Sequence, residues 1–310
     1  MKKCLIISSI IIAVIIILPG IIEFYKPLTE KFRADKKEYK TVKIGNNTMA
    51  YREFGKGKPV ILIHGYMNST IVWERNIAVF VKSGYHVYAV DLFGHGMSDK
   101  PYDYPYTISS YSKQILEFMD KTGIKSADFI GHSMGGAVSI KTACDKPEAV
   151  QKLVLIGSAG GYVLGKSSFV LKLAKIPFIG EFLFQIAPRD IVLAVSKFVS
   201  LRSDHKFTNE YKDKYYEPFK SKGFVYMSLK IARTADTDEW DLIGCMKKIK
   251  SRTIIIHGTS DFVIKNNSAD TIKKNIKNST LVIFDKAPHN LMESDFEKVN
   301  PEIIKFLTVK

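Results

Sequence analysis

Residues 126–136 read Ser126-Ala127-Asp128-Phe129-Ile130-Gly131-His132-Ser133-Met134-Gly135-Gly136. The first five residues are strand-like, and residues 137–144 that follow are helix-like. A serine with glycines two positions to either side, at a strand-to-helix junction, has the form of a nucleophile elbow. The chemistry explains the glycines: the turn is tight, and a Cβ on either flank would clash. Ser133 is thereby held on a sharp bend with its hydroxyl at the carboxyl edge of a sheet. The Met134 N–H falls at the start of the helix, where free backbone donors and the helix dipole favour a developing anion.

Outward from the elbow, short apolar runs alternate with helix-length segments. Strands are expected at 41–45, 49–54, 60–63, 86–90, 126–130, 152–156, 253–256 and 280–284, with Asn46-Asn47 turning a hairpin between the first two. Helices are expected at 108–121 and 266–277. This alternation predicts an α/β fold with a mostly parallel sheet and its chemistry at the carboxyl ends of the strands. Residues 161–240 break the pattern: they are rich in Phe, Tyr, Leu and Ile and fall between two core strands. They are expected to form a helical cap over the site. Trp73 and Trp240 are expected to pack.

Three more strand ends complete a constellation. Ile61-Leu62-Ile63 runs into His64-Gly65-Tyr66, a turn whose Tyr66 N–H can join that of Met134 as an oxyanion donor. Asp261 follows His257-Gly258-Thr259-Ser260, just past a later strand. His289 follows Ala287-Pro288, just past the last one. A serine hydroxyl is a weak nucleophile at neutral pH and needs a base. Histidine is the natural base, and a carboxylate fixes its tautomer. The expected triad is therefore Ser133, Asp261 and His289, with Tyr66 and Met134 as the oxyanion hole. Asp91 and Asp285 are the rival acids; Asp285 ends its strand too close along the chain to orient His289. Gly157-Ser158 offers no carboxylate. None of His64, His86, His95, His132, His205 and His257 lies in the last-strand loop. No metal-ligand spacing is present, and no cofactor is required.

Over residues 41–308 the chain resembles the α/β-hydrolase superfamily. The resemblance rests on His64-Gly65-Tyr66, on Asp91-Leu92-Phe93-Gly94-His95-Gly96-Met97-Ser98-Asp99, on the elbow, and on the Asp261 and His289 loops. It implies the α/β-hydrolase fold, a mostly parallel sheet flanked by helices with a cap insertion. It also implies that the 91–99 run is structural. Serine at the nucleophile position sets the chain apart from haloalkane dehalogenases and epoxide hydrolases, which use Asp there. It is most similar to capped bacterial esterases and lipases, haloperoxidase-like enzymes and monoacylglycerol lipases. The carbon–carbon hydrolases of ring-cleavage products are also similar, but carry Asn where this chain has His132.

Composition bounds the rest. The chain has 310 residues, 46% of them hydrophobic, with a formal net charge of +15. Lysines are spread along its length with no nucleic-acid motif, so nucleic acid is not an expected partner and an anionic surface is the simpler reading. Cys4, Cys144 and Cys245 form no paired framework. Cys144 reads as an apolar filler, and no disulfide is expected. Met1-Lys2-Lys3 precedes an Ile-rich apolar run, and residues 4–22 are about long enough to span a ~30 Å bilayer. No small-residue cleavage site follows. The expected organisation is a signal anchor over 1–22, a stalk over 23–40, and a catalytic domain over 41–310 with its cap at 161–240. The two N-terminal lysines favour a domain outside the cytoplasm, against the opposite pull of Lys26, Lys31, Arg33, Lys36 and Lys37; cleavage would instead make it secreted. The expected activity is a membrane-associated serine hydrolase of small hydrophobic carboxylic esters. The alternatives are C–C or thioester hydrolysis on the same fold, and a non-catalytic, membrane-tethered binding protein. The sequence leaves the oligomeric state open.

Overall fold

The computed structural model describes residues 38–160, 176, 179–180, 208–221, 223–234 and 242–309. Its strands are β1 (Lys40–Ile44), β2 (Asn47–Phe54), β3 (Lys58–Ile63), β4 (Tyr85–Val90), β5 (Ala127–His132), β6 (Val150–Ile156), β7 (Arg252–Gly258) and β8 (Ser279–Phe284). Its helices are α1 (Glu74–Lys82), α2 (Ile108–Lys121), α3 (Met134–Asp145), α4 (Asn209–Tyr216), α5 (Phe224–Thr234), α6 (Ile243–Met246), α7 (Asn266–Asn275), α8 (Leu291–Ser294) and α9 (Phe296–Thr308). All eight expected strands are present.

The strands form one sheet in the order β1-β2-β4-β3-β5-β6-β7-β8. β1 pairs antiparallel with β2 and β2 with β4, while every later pair is parallel. Parallel strands buried on both faces must be apolar throughout. In β3, Val60, Ile61, Leu62 and Ile63 are all buried. The two-residue period then divides them between two cores. Ile61, Ile63, Phe129, Leu153 and Leu155 face the core beneath α2, α3 and α7. Val60, Leu62, Ile130, Val154 and Ile156 face the core beneath α1 and α9.

Helix α2 shows how local sequence meets this frame. Thr107 and Ser110 cap its start reciprocally, each side chain bonding the other's backbone N–H at 3.1 and 2.9 Å. Ile108, Tyr111, Ile115 and Phe118 recur at helical spacing and are buried against the sheet. The chain runs from β3 to β4 on one side of β3, whereas β5 lies on the other. The carboxyl end of β3 is therefore a switch point, where a crevice opens.

Three expectations need correction. The first hairpin turns at Gly45-Asn46, with Gly45 at φ 55°, because Asn47 already pairs with Ile44. The expected absence of a disulfide is wrong: Cys144 and Cys245 are bonded, with Cα atoms 5.3 Å apart. Their 101-residue separation hid this. The long excursion after β6 returns the chain as α6 beside the end of α3. The membrane placement is also corrected. Among the described residues no helix is long and apolar enough to cross a membrane. The longest, α2, has 14 residues, or about 21 Å at the α-helical rise, and its apolar face is used up on the sheet. Residues 1–22 and 23–37, which carried the anchor and most of the stalk, lie outside the described residues. So do most of the expected cap and Trp240; α4 and α5 are its described helices. Trp73 packs in the core, as expected.

Candidate active site

Ser133 sits between β5 and α3 with φ 53° and ψ −118°, a conformation that costs a non-glycine residue about 1–3 kcal/mol. Surrounding hydrogen bonds hold it there. Its N–H donates to the Ile156 carbonyl of β6 at 3.0 Å, and its carbonyl accepts from Gly136 and Ala159 at 3.0 and 3.1 Å. The flanking glycines permit the close approach that the bend demands. A Cβ on Gly135 would lie 2.2 Å from the Ile63 carbonyl oxygen, so α3 presses directly on the end of β3. As the first residue of α3, Met134 has no carbonyl one turn back within the helix to receive its N–H.

The turn after β3 reaches the nucleophile. A Cβ on Gly65 would stand 3.0 Å from the Ser133 Cβ, which brings the backbone that leads into Tyr66 against Ser133. Asn68 N–H closes the turn on the Gly65 carbonyl at 3.3 Å, with Met67 at φ 57°. Beneath it, His64 donates from Nδ1 to the Gly65 carbonyl at 2.7 Å and accepts the Leu92 N–H at Nε2 at 3.1 Å. Complete burial lowers the His64 pKa and favours the neutral ring that this pair of bonds needs. The Tyr66 hydroxyl donates to the Ser228 carbonyl of α5 at 2.6 Å, so the turn is tied to the segment above it.

Asp261 and His289 meet through tertiary structure alone. Asp261 Oδ1 accepts the Val263 and Ile264 N–H groups, both at 2.8 Å. Its Oδ2 accepts from His289 Nδ1 at 2.8 Å, and both side chains are buried. Two backbone donors fix the carboxylate, and the carboxylate fixes the ring. The His289 backbone is held as well: His132 Nε2 donates to its carbonyl at 3.2 Å, and the two rings lie 4.6 Å apart. Burial, then the nearby His289, keeps His132 neutral, with a pKa well below the usual histidine value. Gly157 lines the pair. At φ 49°, a Cβ there would come within 3.2 Å of His289 Nδ1 and 3.3 Å of Asp261 Oδ2. A side chain at this position would crowd the Asp261–His289 pair.

The rival acids lie elsewhere. Asp91 is buried and accepts the Thr70 and Met97 N–H groups at 2.7 and 2.8 Å, shaping the 91–99 turn. Asp285 accepts the Thr259 hydroxyl at an exposed position. His95 packs on His64 at 4.9 Å, and His86 binds Glu53 at the sheet's other end. His257 Nε2 is 3.9 Å from Asp261 Oδ2, beyond hydrogen-bonding range. His205 lies outside the described residues. Among the described residues no group of three or more His, Cys, Asp or Glu is arranged to hold a metal ion.

Sequence reading missed Glu293. It is fully buried, its Oε2 accepts from Asn290 Nδ2 at 2.6 Å, and its Oε1 accepts the Tyr211 hydroxyl of α4. Burial, the largest influence, pushes its pKa up to about 7. The available signal was its place one helical turn after His289.

The sequence model of the alpha/beta hydrolase fold family matches residues 58–296. The chain is 28% identical over 268 residues to 2-hydroxy-6-oxo-6-phenylhexa-2,4-dienoate hydrolase of Comamonas testosteroni, covering 83% of this chain and 90% of that one. It is 23% identical over 249 residues to the uncharacterized hydrolase YugF of Bacillus subtilis (strain 168), covering 80% and 89%. The crystal structure of bromoperoxidase from Bacillus anthracis superposes with a TM-score of 0.75 at 20% identity, covering 87% of this chain and all of that one.

Proposed function

The chain belongs to the alpha/beta hydrolase fold family, and on that premise we propose that it is a serine hydrolase that cleaves carboxylic esters through an acyl-enzyme on Ser133. One observation carries the reading. The Asp261–His289 bond of 2.8 Å leaves Nε2 as the free face of the base, on a loop pinned to His132, the residue before the nucleophile.

The steps follow from that geometry. Asp261 holds the proton on Nδ1, so His289 Nε2 carries the lone pair and takes the Ser133 proton. Oγ attacks the ester carbonyl, and the electron pair moves to the carbonyl oxygen. The Tyr66 and Met134 N–H groups hold that oxyanion; each such donor contributes about 3–4 kcal/mol in a dry site. When the tetrahedral species collapses, the imidazolium gives its proton to the departing alkoxide, and the alcohol leaves. Water, deprotonated by the same nitrogen, then releases the acid and restores Ser133. The substrate we propose is a small hydrophobic ester, since Tyr66, Met67 and Met134, which flank the turn and the elbow, are apolar in bulk and pack in one cluster with Met227 of α5.

The likeness to a dienoate hydrolase supports a second reading, C–C bond hydrolysis by the same serine. His132 counts against it, because the ring-cleavage hydrolases that this chain resembles typically carry Asn at that position. The test is Ser133→Ala with a panel of p-nitrophenyl esters and a fluorophosphonate probe. The wild type should hydrolyse short esters and be labelled at Ser133. The variant should lose up to ~10⁶-fold in kcat and all labelling. A wild type that neither hydrolyses any ester nor takes the probe would overturn the reading in favour of a non-catalytic binding protein. Turnover of a ring-cleavage dienoate but of no ester would favour the second one.

A further inference from the structure

The loop bearing His289 is anchored at three points, and only two belong to the triad and the elbow. The ring is held by Asp261 and the backbone carbonyl by His132. The third anchor is Asn290, the next residue. Its carbonyl accepts the Glu293 and Ser294 N–H groups at 2.9 and 3.1 Å, and its Nδ2 donates to Glu293 Oε2. The remaining oxygen of Glu293 is taken by the Tyr211 hydroxyl. Tyr211 belongs to α4, 82 residues away along the chain, and also packs against the core beneath α1 and α9. Glu293 therefore joins two bodies: the base loop on one side and a helix of the excursion on the other.

The platform under Glu293 is rigid. Asn76 of α1 donates to the Met292 carbonyl at 3.1 Å and to Asn300 Oδ1 of α9 at 2.7 Å. Asn300 returns a bond to the Arg75 carbonyl at 3.1 Å. α8 is thus fixed from below, and α4 supplies the second hydrogen bond of the Glu293 carboxyl group. A carboxyl group buried to 1% exposure is costly unless both oxygens are satisfied. Loss of the Tyr211 hydroxyl would leave one of them bare. The bond to Asn290, and with it the start of α8, would then have to reorganise or admit water.

We infer that Glu293 is a positioning residue that couples seating of α4 to the orientation of His289, through Asn290. This rests on the reading of His289 as the base. It gives α4 a role at the active site: the base is held in register only while Tyr211 is docked. A second tie, from the Tyr66 hydroxyl to α5, lies on the oxyanion side, so both halves of the machinery touch the same segment.

The experiment compares Tyr211→Phe, Glu293→Met, Glu293→Gln and the Tyr211→Phe/Glu293→Met double variant in the full chain, on p-nitrophenyl acetate. His289→Ala is included as a reference. Phe removes the hydroxyl alone and Met removes both bonds, whereas Gln keeps an acceptor for Asn290 and a donor for Tyr211. Tyr211→Phe and Glu293→Met should each lower kcat about tenfold or more, with KM changed less than twofold, since a misplaced base weakens the transition state and not ground-state binding. Glu293→Gln should restore kcat to within about threefold of wild type. The double variant should be no worse than the poorer single, as expected for one shared pathway. Thermal melts report folding, and Tyr211→Phe, which keeps the ring, tests the idea even if Glu293→Met fails to fold. Wild-type kcat in Tyr211→Phe, or losses that appear in KM alone, would overturn the inference while an inactive His289→Ala left the base assignment standing. An active His289→Ala would overturn both.

Discussion

Replacing Asp261 with Asn tests the acid–base pair most sharply, because the structure dictates how the amide must sit. The side chain faces three donors: the Val263 and Ile264 N–H groups on Oδ1, and His289 Nδ1 on Oδ2. An amide has one oxygen. Turned toward His289, that oxygen would leave the NH₂ group pointing at two backbone donors, at about 1–3 kcal/mol for each unpaired group. Turned toward the backbone, it keeps both of those bonds and presents NH₂ to Nδ1. The second arrangement is favoured by roughly 2–6 kcal/mol, so at most about one molecule in 30 holds the first. In the favoured arrangement Nδ1 must accept, and the proton moves to Nε2. The base then has no lone pair for Ser133. Tautomer alone gives a loss of at least ~30-fold. Loss of the charge opposite the imidazolium adds to it, for about 10⁴-fold in kcat, or about 5 kcal/mol of barrier. The assay is kcat and KM on a p-nitrophenyl ester, with Asp285→Asn alongside. Asp285 is exposed and bonded to Thr259, so its variant should stay within twofold of wild type. A loss below ~30-fold for Asp261→Asn would refute the reasoning.

Further outcomes are expected. Gly157→Ala should lower stability by about 1–2 kcal/mol, because an L-residue is strained at φ 49°. It should also cut kcat at least tenfold, since its Cβ must push His289 or Asp261 aside; unchanged kcat in a folded variant would show that the pair tolerates displacement. Glu293 rises from an ordinary 4.5 to about 7 on folding, with Tyr211 on α4 and Glu74 and Arg75 on α1 as its charged or titratable surroundings. The unfolded chain gives up this proton first, so stability falls as pH rises from about 4.5 to 7, by about 3 kcal/mol in total. Urea unfolding of Glu293→Gln should show a flatter decline over that interval, and parallel curves for both proteins would contradict it. Opening the Cys144–Cys245 bond, with its 101-residue span, should destabilise by up to about 4–5 kcal/mol in the chain-entropy picture. Matching unfolding midpoints for the wild type and a Cys144→Ser/Cys245→Ser variant, both under oxidising conditions, would show the bridge contributes nothing.

The sheet was legible in the chain because buried parallel strands have to be apolar on both faces, and runs such as Val60-Ile61-Leu62-Ile63 satisfy no other local structure so well. The elbow was legible because a bend at Ser133 tolerates only glycine where α3 presses on β3. The candidates Asp261 and His289 were legible from their places just past strands, where a parallel sheet gathers its loops. These signals are local: a short window records both the pattern and its cause. The rest depended on residues far apart. Which oxygen of Asp261 faces which donor, why Gly157 must lack a side chain, and how His132 grips the carbonyl of His289 became fixed only when β5, β6, β7 and β8 lay side by side. The Cys144–Cys245 bond and the Tyr211–Glu293–Asn290 chain join segments across 101 and 82 residues. No periodicity encodes such meetings, because what brings them about is the return path of the excursion between β6 and β7. Local sequence determined the elements and the chemistry at their ends, and tertiary packing alone decided which of those ends touch.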